Sequence, residues 1–186
     1  MSAIMKETNG DLTRCFMNIR KEKAKDYKAI YAVVRDAFGS AEHADGNEQD
    51  LVNALRKGTA YIPELSLVAE EKEKIIGHIM FTKARVGENV VLALAPLSVL
   101  PEYQRKGIGT ALIKEGHRIA QGLGYGYSVV LGSEKYYPRA GYVPADTLGI
   151  KPPFDVSREN FMAYKIDENF REINGVIEYA KEFGIE

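Results

Sequence analysis

The chain has 186 residues, 45% of them hydrophobic, and its 25 basic and 26 acidic side chains leave a net charge of -1. This length fits a single domain that closes its own hydrophobic core, and the nearly balanced charge provides no general electrostatic field for nucleic acid. The one cysteine, Cys15, excludes an internal disulfide and a cysteine-based metal cluster, so we expect no metal cofactor.

Residues 1–13 are polar and lack the apolar segment of a signal peptide. They are predicted to form a flexible leader, followed by a single domain over residues 14–186. The longest apolar run, residues 90–100, is about half as long as a membrane-spanning helix. We therefore expect a cytoplasmic protein that binds neither a membrane nor nucleic acid.

The first half of the chain predicts two helices and a hairpin. A short strand is expected over residues 16–20, and apolar residues at helical spacing predict a helix over residues 24–38. A shorter helix begins at Glu48. Strands over residues 65–70 and 75–82 are predicted to pair as a hairpin across a charged turn.

Residues 90–100 are apolar nearly throughout, as in a strand that is buried on both faces. Pro96 lies inside this run, and a proline cannot donate a hydrogen bond to a β-ladder. A central strand that breaks at Pro96 would separate from its neighbour and leave the backbone of Leu97, Ser98 and Val99 free to pair with a ligand. The alternative is an ordinary bulge without a ligand, but the loop that follows favours the ligand.

A glycine-containing loop over residues 104–110 leads from this strand into the next helix. Its two glycines would let a diphosphate approach several successive backbone N–H groups at the start of that helix. Arg105 and Lys106 add positive charge, and the side chain of Gln104 can donate a further hydrogen bond. A Walker loop is excluded because no Gly-Lys-Ser/Thr is present here, and a later three-glycine cluster lies at a helix exit, where a Rossmann fingerprint does not occur.

The second half of the chain continues with a helix over residues 107–123. Its inner side is predicted to carry apolar residues as far as Leu123, whereas His117 is expected to be exposed. Three strands are predicted after this helix, over residues 127–131, 160–165 and 174–179. Between the first two, we expect a short helix or turn over residues 133–140, an extended segment from residue 142 onward and a loop over residues 145–157.

Two sequence signatures point to one family. Gln104, Gly107 and Gly109 match the pattern Gln/Arg-x-x-Gly-x-Gly/Ala, and Tyr137 lies four residues before a Gly-aromatic pair. In these features, and in its layout over residues 18–180, the chain resembles the GNAT superfamily of acetyl-CoA-dependent N-acetyltransferases. The resemblance implies an α/β (α+β) fold: a mixed, mainly antiparallel central sheet, splayed in the middle, with helices on both faces.

The resemblance also implies acetyl-CoA as the co-substrate, with its pantetheine arm in the gap of the splayed sheet. The residues expected to bind CoA are the backbone segment after the strand break and the pyrophosphate loop, namely Leu97, Ser98, Val99, Gln104, Arg105, Lys106, Gly107, Ile108, Gly109 and Thr110. The backbone N–H groups of residues 97–99 would also stabilise the anionic oxygen that forms during acetyl transfer.

Tyr137 occupies the position of the family's general acid, which protonates the leaving thiolate. An unperturbed tyrosine, with a pKa of about 10, is protonated at neutral pH. The neighbouring Tyr136 would take this role if the local register slipped, and is otherwise expected to be packed or to line the acceptor pocket. For both tyrosines the alternative is plain core packing.

The general base is harder to identify because the central strand, residues 90–100, carries no ionisable side chain, whereas several family members place a glutamate there. Glu48 is our preferred candidate, although a carboxylate in the first turn of a helix is also favoured by the helix dipole alone. The other candidates are His78, His43 and Asp45. His78 lies in an apolar strand, where a histidine is more often a core residue than a base. An ordered water could also take the proton of the amine.

The predicted reaction is direct transfer of an acetyl group to a primary amine of a small molecule or peptide. The family's acceptor site corresponds to residues 37–56 and 142–154, where acidic side chains would suit a cationic amine. Two alternatives stay open: a CoA-binding regulatory module that has lost catalysis, and an acyltransferase that uses another acyl-CoA. A homodimer is frequent in the family, but no residue of this chain diagnoses one.

Overall fold

A computed structural model of the chain describes residues 17–39 and 46–185. The predicted leader lies outside the described residues, as do Cys15 and two of the base candidates, His43 and Asp45. The described ranges contain the helices α1 (Tyr27–Phe38), α2 (Glu48–Lys57) and α3 (Ile108–Gly122). None of them is both long enough and apolar enough to span a membrane.

The first helix begins later than predicted. Residues Ala24–Asp26 form a 3-10 turn instead of the first turn of α1. The carboxylate of Asp26 accepts a hydrogen bond of 2.8 Å from the backbone N–H of Lys23, which stabilises this turn. The apolar side of α1 is as expected, with Ile30, Val33 and Val34 buried.

Within residues 17–39 and 46–185, nine strands form one mixed sheet in the order β1-β2-β3-β4-β5-β8-β6, with β9 bonded to β3 and β7. Neighbours are antiparallel except for the pairs β4–β5 and β7–β9. The strands are β1 (Met17–Lys21), β2 (Tyr61–Glu71), β3 (Lys74–Val86), β4 (Asn89–Val99), β5 (Tyr127–Leu131), β6 (Val143–Pro144), β7 (Ile150–Lys151), β8 (Phe161–Lys165) and β9 (Gly175–Glu178).

The predicted hairpin is present but longer at its open end. Lys72 and Glu73 form its turn with φ angles of 48° and 65°. Strand β2 begins at Tyr61 because Tyr61 resumes pairing with Thr82 after an irregular stretch around Pro63. Proline is tolerated in such irregularities because no ladder hydrogen bond is required of it there.

The central sheet is splayed at β4, as predicted. Its pairing with β3 shifts register around Met80: Ile79 faces Leu97, but Phe81 faces Leu94, so that the two residues Ala95 and Pro96 oppose one residue of β3. On the other side, β4 pairs with β5 at only two positions, both before Pro96. Among the described strands, β3 is therefore the only one that pairs with the carboxyl end of β4.

Helices α2 and α3 lie on opposite faces of the sheet. Gly77 faces α3, since a Cβ atom there would lie 3.2 Å from Leu112 Cδ1. The next residue, His78, points the other way, toward Glu22 and its ion-pair partner Arg56 on α2. Because side chains alternate along a strand, Ser98, which pairs with His78 across β3 and β4, shares the α2 face.

Candidate functional site

The loop between β4 and α3 has the backbone shape that an anion site needs. Arg105 and Gly107 adopt left-handed conformations, with φ angles of 59° and 85°. Such a conformation is costly for residues other than glycine, and here it turns neighbouring N–H groups toward one side. The amides of Ile108, Gly109 and Thr110 begin α3 and precede its first internal hydrogen bond, so they lie at the positive end of the helix dipole.

This loop opens into a cavity of about 610 Å³ between the end of β4 and the segment that follows β5. Eight of the ten predicted CoA-binding residues line it: Leu97, Val99, Gln104, Arg105, Gly107, Ile108, Gly109 and Thr110. Tyr136 and Tyr137 line it too, as do Tyr103 and Arg139, which were not among the predicted site residues.

The side chains of three predicted CoA-binding residues have contacts or orientations of their own, and their contacts with CoA stay predictions. The side chain of Ser98 points to the α2 face, away from the cavity, and Lys106 lies over the ring of Tyr103, with 5.0 Å between Nζ and the ring centroid. The side-chain amide of Gln104 donates to the backbone oxygen of Val99 at 3.1 Å. Gln104 therefore joins the loop to the end of β4.

A larger cavity of about 880 Å³ lies elsewhere, between α1 and the turn of the β2–β3 hairpin. It is a poor phosphate site, because the charged side chains that line it are mainly acidic and would repel a phosphate: Asp26, Asp36, Glu70, Glu73 and Glu102 stand against Lys25 and Lys74. The smaller cavity is thus the candidate site for a phosphorylated ligand.

Tyr137 begins the 3-10 turn Tyr137–Ala140 that follows β5. Its ring lies over Gly132, where a Cβ atom would overlap it, and packs edge-on against Tyr142, with 5.5 Å between ring centroids. Burial raises the pKa of the Tyr137 hydroxyl, and the neighbouring Tyr136 adds to this effect. The phenol is therefore protonated throughout the physiological pH range and can act as a proton donor.

Tyr136 points in a different direction from Tyr137, with the two rings at 89° to each other. Its hydroxyl touches Gly109, where a Cβ atom would overlap it, in the first turn of α3. Burial raises the pKa of Tyr136, while a hydrogen bond with the Thr110 side chain acts to lower it. Tyr136 thus lies over the phosphate loop, on the side of the sheet that carries α3 and not on the side that carries α2.

Tyr142, which packs against Tyr137, belongs to a buried polar cluster. The hydroxyl of Tyr142 lies 2.7 Å from Ser128 Oγ and 3.0 Å from His117 Nε2. His117 also stacks on Tyr164, with 4.3 Å between ring centroids and 7° between planes. Burial lowers the pKa of His117 to about 4, so the ring is neutral at pH 7 and its Nε2 can accept the hydrogen bond of Tyr142.

The prediction that His117 is exposed was therefore wrong, since the residue is only 8% exposed. The buried side of α3 runs through Ile113, Gly116, His117 and Ala120, and the absence of a side chain at Gly116 lets Phe81 approach the helix. Spacings of four residues from Ile113 and three from Ala120 would have placed His117 on this side. Leu123, predicted to lie inside, is 47% exposed at the end of the helix.

Glu48 is the first residue of α2 and is partly buried. Of the described residues that line the candidate cavity, none belongs to α2, which lies on the other face of the sheet from α3. Glu48 stays a prediction as the general base.

His78 lies in the core, as expected of a histidine in an apolar strand, with an exposure of 0%. Its Nε2 is 3.1 Å from Ser66 Oγ and 3.3 Å from Glu22 Oε2. Glu22 in turn accepts two hydrogen bonds of 2.8 Å from Arg56 and one of 2.8 Å from the hydroxyl of Tyr61. A buried charged network thus fixes one nitrogen of His78, whereas Nδ1 has no hydrogen-bond partner among the described residues.

Comparison with known proteins identifies this arrangement. Residues 27–142 match the model of the acetyltransferase (GNAT) family. The chain is 36% identical over 140 residues to the uncharacterised N-acetyltransferase YjhQ of Escherichia coli K12, covering 73% of this chain and 75% of YjhQ.

Two solved structures are similar over nearly the whole chain. A GNAT family acetyltransferase from Brucella melitensis in complex with acetyl-CoA has a TM-score of 0.74 and 32% identity, covering 90% of this chain and 97% of that one. The Escherichia coli GNAT family N-acetyltransferase YhbS in complex with CoA has a TM-score of 0.81 and 25% identity, covering 96% of both chains.

Proposed function

Because the chain belongs to the acetyltransferase (GNAT) family and is an acyltransferase, we propose that it transfers the acetyl group of acetyl-CoA directly to a primary amine. The observation that carries this proposal is that one cavity joins the α3 N-terminus, the end of β4 and the half-buried Tyr137. The relatives from Brucella melitensis and Escherichia coli, crystallised with acetyl-CoA and CoA, support the same co-substrate here.

The diphosphate of CoA would bind to the backbone N–H groups of the loop, where the helix dipole and Arg105 favour negative charge. Arg139, across the same cavity, adds a second cation. The pantetheine arm would extend along residues 97–99, which pair with no described strand on the β5 side, and would add to the ladder there as an additional strand does. The backbone oxygen of Val99 already accepts a hydrogen bond from Gln104.

The reaction then requires this chain to stabilise an oxyanion and to protonate the leaving thiolate. As the amine nitrogen attacks the thioester carbon, the carbonyl oxygen becomes anionic, and backbone N–H groups of residues 97–99 would stabilise it. When the C–S bond breaks, the CoA thiolate would take the proton of the Tyr137 hydroxyl. Glu48 is a candidate for the base on the acceptor side, because it begins α2 in the region predicted to shape the acceptor site.

The acceptor is proposed to be a primary amine of a small molecule or peptide. Acidic side chains near the start of α2 support a cationic amine, among them Asp50, which accepts a hydrogen bond of 3.1 Å from Tyr31. In solution an amine of this kind is protonated at neutral pH, so these carboxylates would attract it before it loses its proton.

The decisive experiment combines calorimetry with a thiol-release assay on an amine panel. We expect CoA to bind and acetyl-CoA to be consumed with at least one amine. Tyr137→Phe should lower kcat by roughly 100-fold or more, as loss of a general acid does, and should leave the Kd for CoA unchanged. Tyr179→Phe, in the apolar cluster around β9, is the matched control and should have no effect on either quantity.

Three outcomes are distinguishable. No CoA binding at millimolar concentration would refute the proposal. Binding without turnover on any amine would favour the regulatory module over the enzyme. Turnover that requires a longer acyl group would keep the reaction and change the donor.

A further inference from the structure

The α2 face of the sheet carries polar atoms that the proposed chemistry has not yet used. His78 Nδ1, Ser98 Oγ and Thr82 Oγ1 are all buried and have no hydrogen-bond partner among the described residues. His78 and Ser98 are directly opposite each other on β3 and β4, and Thr82 lies opposite Ala93. The three side chains thus flank the break at Pro96, where the thioester is proposed to lie.

Buried polar atoms are almost always hydrogen-bonded, and each one left unpaired is costly. A cluster of them beside a reaction site is therefore a candidate for ligand contacts. Leu97 and Val99 face the CoA cavity, whereas Ser98 faces α2. With CoA entering from the α3 side, the open side of its thioester would be the α2 side, which is where an amine must arrive.

The surroundings of His78 favour one tautomer. The Glu22 carboxylate, 3.3 Å from Nε2, can only accept a hydrogen bond and so favours a proton on Nε2, and the Ser66 hydroxyl at 3.1 Å can accept as well as donate. In the neutral ring Nδ1 then carries a lone pair and is the basic atom. The titratable and charged groups that face this ring are Glu22, Arg56 on α2 and, through Glu22, Tyr61 on β2.

We propose that Ser98 and His78 bind the acceptor amine and that His78 Nδ1 is the general base that takes its proton. This inference rests on the proposed function. The new C–N bond forms as the amine attacks, the C–S bond breaks, the amine proton passes to Nδ1, and the thiolate takes the proton of Tyr137. The Glu22 carboxylate stabilises the resulting imidazolium, which later returns its proton to the Tyr137 phenolate through solvent.

The electrostatics of the network agree with this role. Burial lowers the pKa of His78, and the hydrogen bond and charge of Glu22 oppose that effect. Burial acts to raise the pKa of Glu22, but the hydrogen bonds from Arg56 and His78 and the charge of Arg56 lower it overall. At neutral pH the pair is thus a neutral imidazole beside a carboxylate, which is the state of a base ready to accept a proton.

The test measures kcat with both substrates saturating, between pH 5 and 9, in wild type and variants, because kcat reports the ionisations of the bound complex and not that of the free amine. In His78→Gln the amide can still donate to Glu22 but offers no base, so we expect kcat to fall by roughly 100-fold and the acidic inflection of the profile to disappear. The Kd for CoA should be unchanged. Ser66→Ala is the matched control, because Ser66 contacts the other nitrogen of the same ring, and it should leave the pH profile as it is.

Ser98→Ala keeps the proposal testable if the His78 variant does not fold. We expect it to bind CoA normally and to lose about tenfold in kcat/KM for the amine, the effect of one lost hydrogen bond of about 1.4 kcal/mol. The inference is overturned if folded His78→Gln keeps its acidic inflection, if Ser98→Ala behaves as Ser66→Ala does, or if only Glu48→Gln removes the inflection. If wild type shows no turnover, the proposed function itself fails, and the two failures are therefore distinct.

Discussion

Acidification should destabilise this protein through His117, and the size of the effect can be derived from its environment. The ring is buried against Tyr142 and Tyr164, and burial lowers its pKa from 6.5 to about 4. Between these values the unfolded chain binds a proton that the folded protein rejects. Stability is therefore fully present above pH 6.5 and is lost progressively as the pH falls toward 4.

The two pKa values of His117 differ by about 2.5 units, and each unit corresponds to about 1.4 kcal/mol. The free energy of unfolding should therefore fall by about 3 kcal/mol between pH 6.5 and pH 4. That is a large share of the roughly 5–15 kcal/mol by which a typical domain is stable. His117→Gln removes the titration. At pH 7 this variant should be less stable than wild type because it loses the stacking on Tyr164, but the gap between the two proteins should shrink by about 3 kcal/mol at pH 4.

Urea unfolding at half-unit pH steps, followed by linear extrapolation, gives the free energy of unfolding as a function of pH for wild type and for His117→Gln. Carboxylates titrate equally in both proteins, so the difference between the curves isolates the histidine. Gln121→Ala, an exposed change on the same helix, should give a constant difference from wild type. If the difference for His117→Gln also stays constant within about 1 kcal/mol, the argument from burial is wrong.

Three further predictions concern the loop and the buried network. Gly107→Ala forces a side chain into a φ of 85° and should lower the free energy of unfolding by about 1–2 kcal/mol, measured by urea, and weaken CoA binding. Gly109→Ala should weaken CoA binding by calorimetry, and less so in a Tyr136→Phe background, because the added Cβ atom meets the tyrosine hydroxyl; equal effects in both backgrounds would argue against that contact. Arg56→Leu leaves the buried carboxylate of Glu22 without its main partner and should cost about 3–5 kcal/mol, a loss that should shrink at low pH; a Tm within two or three degrees of wild type would contradict it.

The sequence predicted those parts of the site that are set by local spacing. The helix start after Gly107, the break at Pro96 and the turn at Tyr137 all depend on residues within a few positions of each other, and all are present. The position of Tyr136 over Gly109 depends on how the segment after β5 folds back onto α3. No local pattern encodes that distance, so the sequence left open whether Tyr136 is packed or lines the acceptor pocket; in the structure it packs against the core.

The polar partners could not be predicted for the same reason. His78 meets Glu22 and Arg56 only because β3, the end of β1 and α2 come together in the folded sheet. A histidine in an apolar strand is predicted to be a core residue, and no sequence pattern indicates that a distant carboxylate will contact one of its nitrogens. The side of the strand that each residue faces, by contrast, follows from alternation once a single contact such as Gly77 against α3 is known.

The adjacent tyrosines, finally, owe their separate positions to two glycines. Gly132 leaves room for the ring of Tyr137 after β5, and Gly109 leaves room for the hydroxyl of Tyr136 at the start of α3. A side chain at either glycine would overlap its tyrosine and force it to move. Two missing side chains thus let the adjacent tyrosines occupy different positions on the wall of the same cavity.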